Sequence, residues 1–248
     1  MADKTKIDWC DASWNPVTGC LHGCEYCYAR RMVNRFGGLT PDENPHILNR
    51  MCIDAMGKKD IYPFGFAPTF HRYRLDWPAK LQRPRTIFVC SMADLFGDWV
   101  PLDWIQEVFS ACKKAPQHKY LFLTKNPDRY LALAHLGYLP EDNNFWYGTS
   151  VPDPDVDYFF SDKHNTFASI EPILSDFPSA TEQICNWVII GAETGNRKDK
   201  VIPKREWIEH VCQACGKAGI PVFMKSSIRE LMGEDFRQEY PWSIAGHV

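Results

Sequence analysis

Short apolar runs, separated by turns and amphipathic stretches, recur along the chain of 248 residues. The run from Thr86 to Cys90 is continuous rather than alternating, a pattern typical of strands buried on both faces. Strands are predicted at residues 14–18, 66–71, 86–90, 120–123, 145–150, 166–170, 187–190 and 221–224. Helices are predicted at residues 28–36, 102–115, 127–135 and 204–217. The alternation favours a parallel sheet connected by helical crossovers.

The number of strand and helix units predicts the architecture. Eight units in a chain of this length suit an α/β fold, specifically a partial to complete parallel (β/α) barrel of six to eight strands. No linker or sequence repeat interrupts the series, so we expect a single domain over residues 1–248.

Two regions carry weaker patterns. Residues 38–65 contain Pro, Gly and Asn and few periodic apolar positions, which predicts an irregular insertion with a short helix at Ile47–Met56. Another short helix is predicted near Asp155–Lys163. Gly37-Gly38 is predicted to end the first helix, because glycine is common after the last turn.

Composition narrows the class of protein. Apolar residues make up 45% and charged residues 24%, which is ordinary for a globular chain, and the formal net charge is −3. That charge argues against avid, non-specific binding of nucleic acid through bulk electrostatics. Ten cysteines are too few for a disulfide scaffold in a chain this long. With no apolar leader and no apolar run of about 18 residues, we expect a cytoplasmic protein that does not interact with membranes.

Three of the ten cysteines lie within eight residues. Cys20, Cys24 and Cys27 have the spacing C-x3-C-x2-C. Thiolates are soft ligands, and three on one loop can converge on one soft metal centre. Zinc would need a fourth ligand, for which His22 is a candidate. An iron–sulfur cube normally takes four cysteines, so three would leave one iron open. A cluster, a zinc site and inert thiols are all compatible with the residues alone.

The spacing, with Tyr26 directly before the last cysteine, resembles the signature of the radical S-adenosylmethionine (SAM) superfamily. The resemblance implies a TIM-barrel-like core and a 4Fe-4S cluster on the three cysteines. It also implies that SAM chelates the open iron and that Tyr26 lies against the adenine. An electron donor such as flavodoxin or ferredoxin would drive cleavage of SAM to a 5′-deoxyadenosyl radical, which abstracts hydrogen from a substrate.

The rest of the chain resembles a narrower group, an uncharacterised phage-associated three-cysteine protein family. The matching stretches lie at residues 14–20, 91–96, 123–125, 169–172 and 191–195, and the resemblance extends from residue 7 to residue 225. Many members of that group have a longer gap between the first two cysteines. The shorter gap in this chain matches the broader superfamily signature better.

Polar residues follow the predicted strands, at the end of a barrel where active sites lie. The candidate cofactor-binding residues among them are Ser91, Asp94, Lys125, Ser150, Glu171 and Glu193. Helix capping is the alternative for the serines and for Asp94. Lys125 or Arg72 could pair with the SAM carboxylate, and Ser150, Glu171 or Asp94 with its ribose or ammonium group. The stretch ending at Glu193 resembles the strand that contacts adenine, with Gly191 allowing close approach. No catalytic residue is identified.

Basic residues concentrate in two stretches, 72–85 and 197–205, the first with Tyr73 and Trp77 interleaved. Such a pattern can follow a phosphate backbone, although a solvated face is the plainer interpretation. Cys212 and Cys215 fall in a helical pattern and are interpreted as buried thiols. The sequence therefore predicts a radical SAM enzyme whose first candidate substrate is a nucleotide or a nucleic-acid base, in modification or repair. The alternative is a non-catalytic zinc- or iron–sulfur-binding protein that interacts with nucleic acid.

Overall fold

The computed structural model describes residues 4–36, 44–177 and 185–244. The chain divides into two compact units, Met1–Phe145 and Trp146–Val248. Each unit is described in turn, because each has its own strands, helices and buried core.

The first unit contains most of the strands. They are β1 (Ala12–Trp14), β2 (Val17–Thr18), β3 (His46–Leu48), β4 (Cys52–Ile53), β5 (Lys59–Asp60), β6 (Thr69–His71), β7 (Thr86–Val89) and β8 (Lys119–Thr124). Its helices are α1 (Tyr28–Phe36), α2 (Leu102–Lys113) and α3 (Pro127–His135). β7 pairs in parallel with β1 on one side and β8 on the other. β2, β6 and β3 form a separate small sheet, and β4 and β5 form a hairpin.

Aromatic side chains fill the core of the first unit. Phe96 contacts Phe109, Phe122 and Tyr130, with ring centroids 4.4 to 6.1 Å apart. All four side chains are buried. Aromatic contacts in tilted and edge-on arrangements add to the burial of apolar area. This core fixes the carboxyl ends of β7 and β8, where candidate site residues follow.

The described residues of the second unit, 146–177 and 185–244, form four strands, the first of which starts at Phe145, and three α-helices. They are β9 (Phe145–Ser150), which starts at the boundary, β10 (Asn165–Ile170), β11 (Trp187–Ile190), β12 (Val222–Met224), α4 (Arg205–Ala218), α5 (Arg229–Met232) and α6 (Pro241–Ile244). β10 pairs in parallel with β9 and β11, and β11 with β12. α4 buries Ile208, Val211 and Cys215, which share one face of the helix. The helix ends at Gly219, whose φ of +69° favours glycine.

Seven strands form the main sheet, in the order β1-β7-β8-β9-β10-β11-β12. The α/β class and a parallel sheet of six to eight strands are thereby confirmed, with seven strands as the observed number. The helices at Tyr28–Phe36 and Pro127–His135 have the predicted bounds. Among the described residues, none of the helices has the length and apolar character that a membrane span requires.

Four local predictions are wrong. The first strand is interrupted at Asn15-Pro16 and becomes β1 and β2, and the segment 66–71 contributes β6 to the small sheet rather than to the main one. In place of the helix at Ile47–Met56 the chain forms the end of β3, then β4 and the turn that leads to β5. Asp54 Oδ1 stabilises this turn, because it accepts hydrogen bonds from the backbone N–H groups of Met56 and Lys58. Residues 155–163 hold no helix, and Asp153 instead bonds the backbone of Asp155. Gly37-Gly38 lies outside the described residues.

Candidate metal centre

The three cysteines lie on a loop between β2 and α1, which we call the cysteine loop (residues 20–27). It begins after Gly19, whose φ is +87° and where a side chain would collide with the carbonyl of Ala67. It ends where α1 begins, and the N–H of Arg30 points at Cys27 Sγ over 3.4 Å. The guanidinium of Arg30 donates to the Cys20 carbonyl at 2.8 Å, which connects the helix back to the start of the loop.

The thiols of the cysteine loop are free and partly exposed. Burial raises the pKa of the Cys20 thiol to about 12, and a hydrogen bond from the His22 backbone partly opposes this. Electrostatic interaction with Asp94, Cys27 and Cys24 raises the pKa of the Cys20 thiol as well. Cys20 is therefore protonated at neutral pH, and a metal that binds it must displace that proton.

The turn that follows β7 holds the cysteine loop from one side. This Ser91–Asp94 turn begins after Cys90, a non-glycine residue with φ +61°. The Met92 carbonyl accepts from the Gly19 N–H at 2.9 Å, and the Ser91 carbonyl accepts from Tyr28 Oη at 2.6 Å. The turn therefore contacts the chain immediately before and immediately after the three cysteines.

Asp94 forms a third contact, to the middle of the loop. Its Oδ2 lies 2.7 Å from His22 Nε2, between Cys20 and Cys24 in sequence. Oδ2 also accepts from the Lys125 N–H at 2.9 Å, and Oδ1 accepts from the N–H of Phe96 and the hydroxyl of Thr124 at 2.9 and 2.8 Å. An ionised carboxylate offers about four acceptor sites, so these four bonds saturate it. Asp94 is also buried, with 5% of its surface exposed.

Two other predicted cofactor residues of the first unit also have partners. Lys125 Nζ donates to Tyr26 Oη at 3.0 Å and lies 5.2 Å from the centre of that ring. Ser91 Oγ donates to Asn15 Oδ1 at 3.2 Å, and the same oxygen accepts from the Met92 N–H. The structure thus brings Tyr26, Ser91, Asp94 and Lys125 into one network with the cysteine loop.

The remaining three predicted residues belong to the second unit. Ser150 is buried at the end of β9, in register with Ser169 of β10. Glu171 follows β10 and forms an ion pair with Lys225, which follows β12. The side chains of both members of that pair lie against Gly191, where an added Cβ would be 3.0 Å from Lys225 Cδ. The glycine at 191 therefore makes room for this ion pair.

Glu193 is paired within its own loop. Arg197 donates to both of its oxygens, at 2.8 and 2.9 Å, and the Glu193 side chain is almost fully buried. A two-point bond of this kind fixes the carboxylate plane as well as its position. Two of the three candidate residues in this unit are thus carboxylates matched with a cation.

Two of the four arginines of the first basic stretch, Arg72 and Arg74, contact other parts of the first unit. Arg72 donates to both oxygens of Glu107, at 2.9 and 2.6 Å. Arg74 is buried and donates to the Asn15 carbonyl at 2.8 Å, while its guanidinium lies against Tyr73. These two arginines therefore support the fold, and the expectation that Arg72 meets a SAM carboxylate has a competing partner in Glu107.

Comparison with known proteins adds one finding. A family model described as "Protein of unknown function (DUF5131)" matches residues 4–233. The chain belongs to this family. No curated protein and no solved structure matched the chain. The family match includes every candidate residue, from Cys20 to Glu193.

Several residues that bond the candidate residues were not predicted as site residues. Asn15 and Thr124 belong to the network of the cysteine loop, Arg197 bonds Glu193, and His22 was considered only as a zinc ligand. The position of His22 inside the cysteine motif was a usable signal, whereas the partners of Asp94 are distant in sequence. Across the described ranges, no group of three or more His, Cys, Asp or Glu residues has the arrangement that holds a single metal ion.

Proposed function

We propose that the protein is a radical SAM enzyme in which Cys20, Cys24 and Cys27 hold a 4Fe-4S cluster. The observation that carries the proposal is the cysteine loop itself, on which three partly exposed thiols lie between two fixed ends. In a cube each thiolate binds its own iron, so the three sulfurs need not converge on one ion. Three thiolates would leave one iron open for SAM. The spacing C-x3-C-x2-C and Tyr26 support this choice.

The donor set is suited to iron and sulfide. Thiolates are soft ligands, and the loop holds three of them, with Glu25 as the one carboxylate between them in sequence. When bound, a 4Fe-4S cluster with SAM would supply one-electron cleavage of SAM and hydrogen-atom abstraction from a substrate. The protein orients both molecules and excludes water from them.

Individual residues are assigned roles by their charge and their contacts. The Lys125 ammonium donates to Tyr26 of the cysteine loop, and its positive charge suits the SAM carboxylate. Asp94 has its acceptor sites filled, and we assign it and Ser91 to holding the cysteine loop rather than to binding SAM. Glu171, Glu193 and Ser150 stay as candidates for the ammonium or ribose groups of SAM.

The partners follow from the chemistry. A flavodoxin or a ferredoxin would deliver the electron, which suits a cytoplasmic protein. The substrate is proposed to be a nucleotide or a nucleic-acid base, in a modification or repair reaction.

A second function has one observation in its favour. The contact between His22 Nε2 and Asp94 leaves His22 Nδ1 on the other side of the ring. A zinc-bound histidine commonly donates its second nitrogen to a carboxylate in this way. Cys20, His22, Cys24 and Cys27 would then be the ligands of a structural zinc ion in a non-catalytic protein, after the loop has rearranged to bring them around one ion.

Metal analysis of cysteine variants separates the two functions. After anaerobic reconstitution with iron and sulfide, the wild type should bind about four of each per chain and absorb near 400 nm (expected for such a cluster). Replacement of Cys20, Cys24 or Cys27 by Ala should remove that cluster.

Cys212→Ala is the matched control, because Cys212 is also a partly exposed free thiol. It should retain the full iron content. Zinc as the only bound metal, with binding that depends on His22, would establish the second function instead. Equal loss of iron in Cys212→Ala and Cys24→Ala would refute the three assigned ligands.

A further inference from the structure

The amino edge of β7 and β8 is basic. Residues 78–85 precede β7, and residues 113–119 run from the last residue of α2 to the first residue of β8. Together they contain six basic residues and no acidic one. The six are Lys80, Arg83, Arg85, Lys113, Lys114 and Lys119. We call the surface formed by these two segments the basic surface. It contrasts with the formal net charge of −3 for the whole chain.

The two segments are held together by His118. Its Nδ1 accepts from the Arg85 N–H at 3.1 Å, so Nε2 carries the proton and donates to the Pro78 carbonyl at 3.0 Å. Gln117 Nε2 donates to the Leu81 carbonyl, and the Lys119 N–H donates to the Arg85 carbonyl at 2.8 Å. The backbones of the two segments are therefore bonded to one another, and the side chains of Lys80, Arg83, Lys113 and Lys114 are exposed.

A cleft lies in the first of the two segments. It has a volume of about 330 Å³ and is lined by Lys80, Leu81, Gln82, Arg83 and Arg85. Within the basic surface, Lys80 and Lys113 have carboxylate partners, Asp76 at 2.5 Å and Asp142 at 3.4 Å. Both of these pairs are exposed, and exposed ion pairs exchange partners at little cost. The surface therefore combines several cations with a cleft that has an apolar wall at Leu81.

The basic surface is separate from the cysteine loop. The loop contacts the Ser91–Asp94 turn, which follows the carboxyl end of β7, whereas Arg85 precedes the amino end of the same strand. The four residues of β7 between them span roughly 13 Å. The second half of the stretch 72–85 therefore lies at the opposite end of β7 from the cysteine loop.

We propose that the basic surface binds single-stranded nucleic acid through its phosphate backbone. The basic residues are spread over two segments, which suits the repeated negative charges of a nucleic-acid strand. A site for a single phosphate ion would instead have its donors directed at one point. The cleft can receive a base that is turned outward from a single strand. In a duplex the bases stay stacked and cannot enter it. The proposal does not depend on a bound cluster, and the surface would act in addition to the proposed metal centre.

The test uses binding of a fluorescent 20-nucleotide oligo(dT) by the metal-free full-length protein, followed by anisotropy at a series of salt concentrations. The wild type should bind at low salt and lose affinity linearly on a plot of log K against log salt. The double variant Arg83→Ala/Lys114→Ala should have a slope smaller by about 1.4, because each lost contact to a single strand releases about 0.7 fewer ions.

Two further variants complete the design. Lys58→Ala/Lys59→Ala removes the same charge from the exposed β4–β5 hairpin and should leave the slope unchanged. Arg83→Lys/Lys114→Arg keeps both positive charges, so its slope should equal that of the wild type. Absence of wild-type binding at low salt, or an equal change of slope in the hairpin variant, would overturn the proposal. So would equal competition by poly-glutamate at matched charge, since it would show binding of any polyanion.

Discussion

At the scale of single residues, Asp94 determines how the cysteine loop is held. A carboxylate after a strand was expected to bind the ribose or ammonium group of SAM. Instead its four acceptor sites are taken by His22, Phe96, Thr124 and Lys125. These bonds join the cysteine loop to the ends of β7 and β8. Hydrogen bonds to a charged group are stronger than hydrogen bonds between neutral groups. The contact between Asp94 and His22 therefore fixes the loop before any metal binds.

Weakening this contact should loosen the cysteine loop. In Asp94→Asn one acceptor oxygen becomes an NH2 group that faces other donors, and in His22→Ala the loop contact is lost. Hydrogen exchange of the amides at residues 20–27, measured by mass spectrometry on the metal-free protein, should accelerate roughly tenfold, which corresponds to about 1.4 kcal/mol. Iron loading should fall in parallel.

His210→Ala is the matched control for this experiment. His210 Nδ1 contacts Asp176 Oδ1 at the same 2.7 Å, but in the second unit. Exchange at residues 20–27 should stay as in the wild type. Wild-type exchange in both Asp94→Asn and His22→Ala would show that Asp94 does not hold the loop.

At the scale of elements, the small sheet of β2, β6 and β3 determines where the cysteine loop starts. His71 at the end of β6 is fully buried, and its Nε2 lies 2.8 Å from Thr18 Oγ1 of β2. Burial, and then the charge of Arg74, lowers the pKa of His71 from 6.5 to about 3. The imidazole is therefore neutral in the folded protein, and charging it would break the junction between the two strands.

Acid should consequently destabilise the protein through His71. Between pH 6.5 and about 3 the unfolded state binds a proton that the folded state does not, so stability falls as the pH falls. The expected contribution is about 1.4 kcal/mol per pH unit in this window. Urea unfolding at pH 7.5, 6.0 and 5.0 should show a smaller pH dependence in His71→Gln than in the wild type. Identical pH dependence of the two proteins would contradict the buried, neutral state of His71.

Sequence patterns predicted the elements whose signal is local. The strands at residues 145–150 and 187–190 have the predicted bounds, because continuous apolar runs are distinctive. The helix at Ile47–Met56 was wrong because side-chain bonds from Asp54 form a turn. The segment 66–71 was assigned to the wrong sheet because its antiparallel pairing with β2 is a long-range contact.

For the candidate site, too, the sequence predicted the residues whose signal is local and missed the contacts that are distant in sequence. Cys20, Cys24 and Cys27 are recognisable because their spacing is a local property of eight residues. The role of Asp94 was not predictable, since its partners His22 and Thr124 are 72 and 30 residues away. The sequence made this carboxylate a candidate site residue, with helix capping as the alternative, and its hydrogen bonds show that its acceptor sites are filled.

At the scale of the whole molecule, the strand β7 lies between the candidate metal centre and the basic surface. The chain belongs to the family matched over residues 4–233, and its seven-stranded parallel sheet is the architecture expected from the alternating pattern. In the first unit, the carboxyl end of β7 supports the cysteine loop and the amino end adjoins the basic surface. A radical SAM enzyme that acts on nucleic acid would use both ends of this strand.

The central claim is that the three cysteines support reductive cleavage of SAM. The most direct measurement is anaerobic incubation of the reconstituted protein with SAM and dithionite, followed by mass spectrometry for 5′-deoxyadenosine. We expect 5′-deoxyadenosine from the wild type and from Cys212→Ala, and none from Cys24→Ala. A fully loaded wild-type protein that yields no more 5′-deoxyadenosine than Cys24→Ala would contradict it.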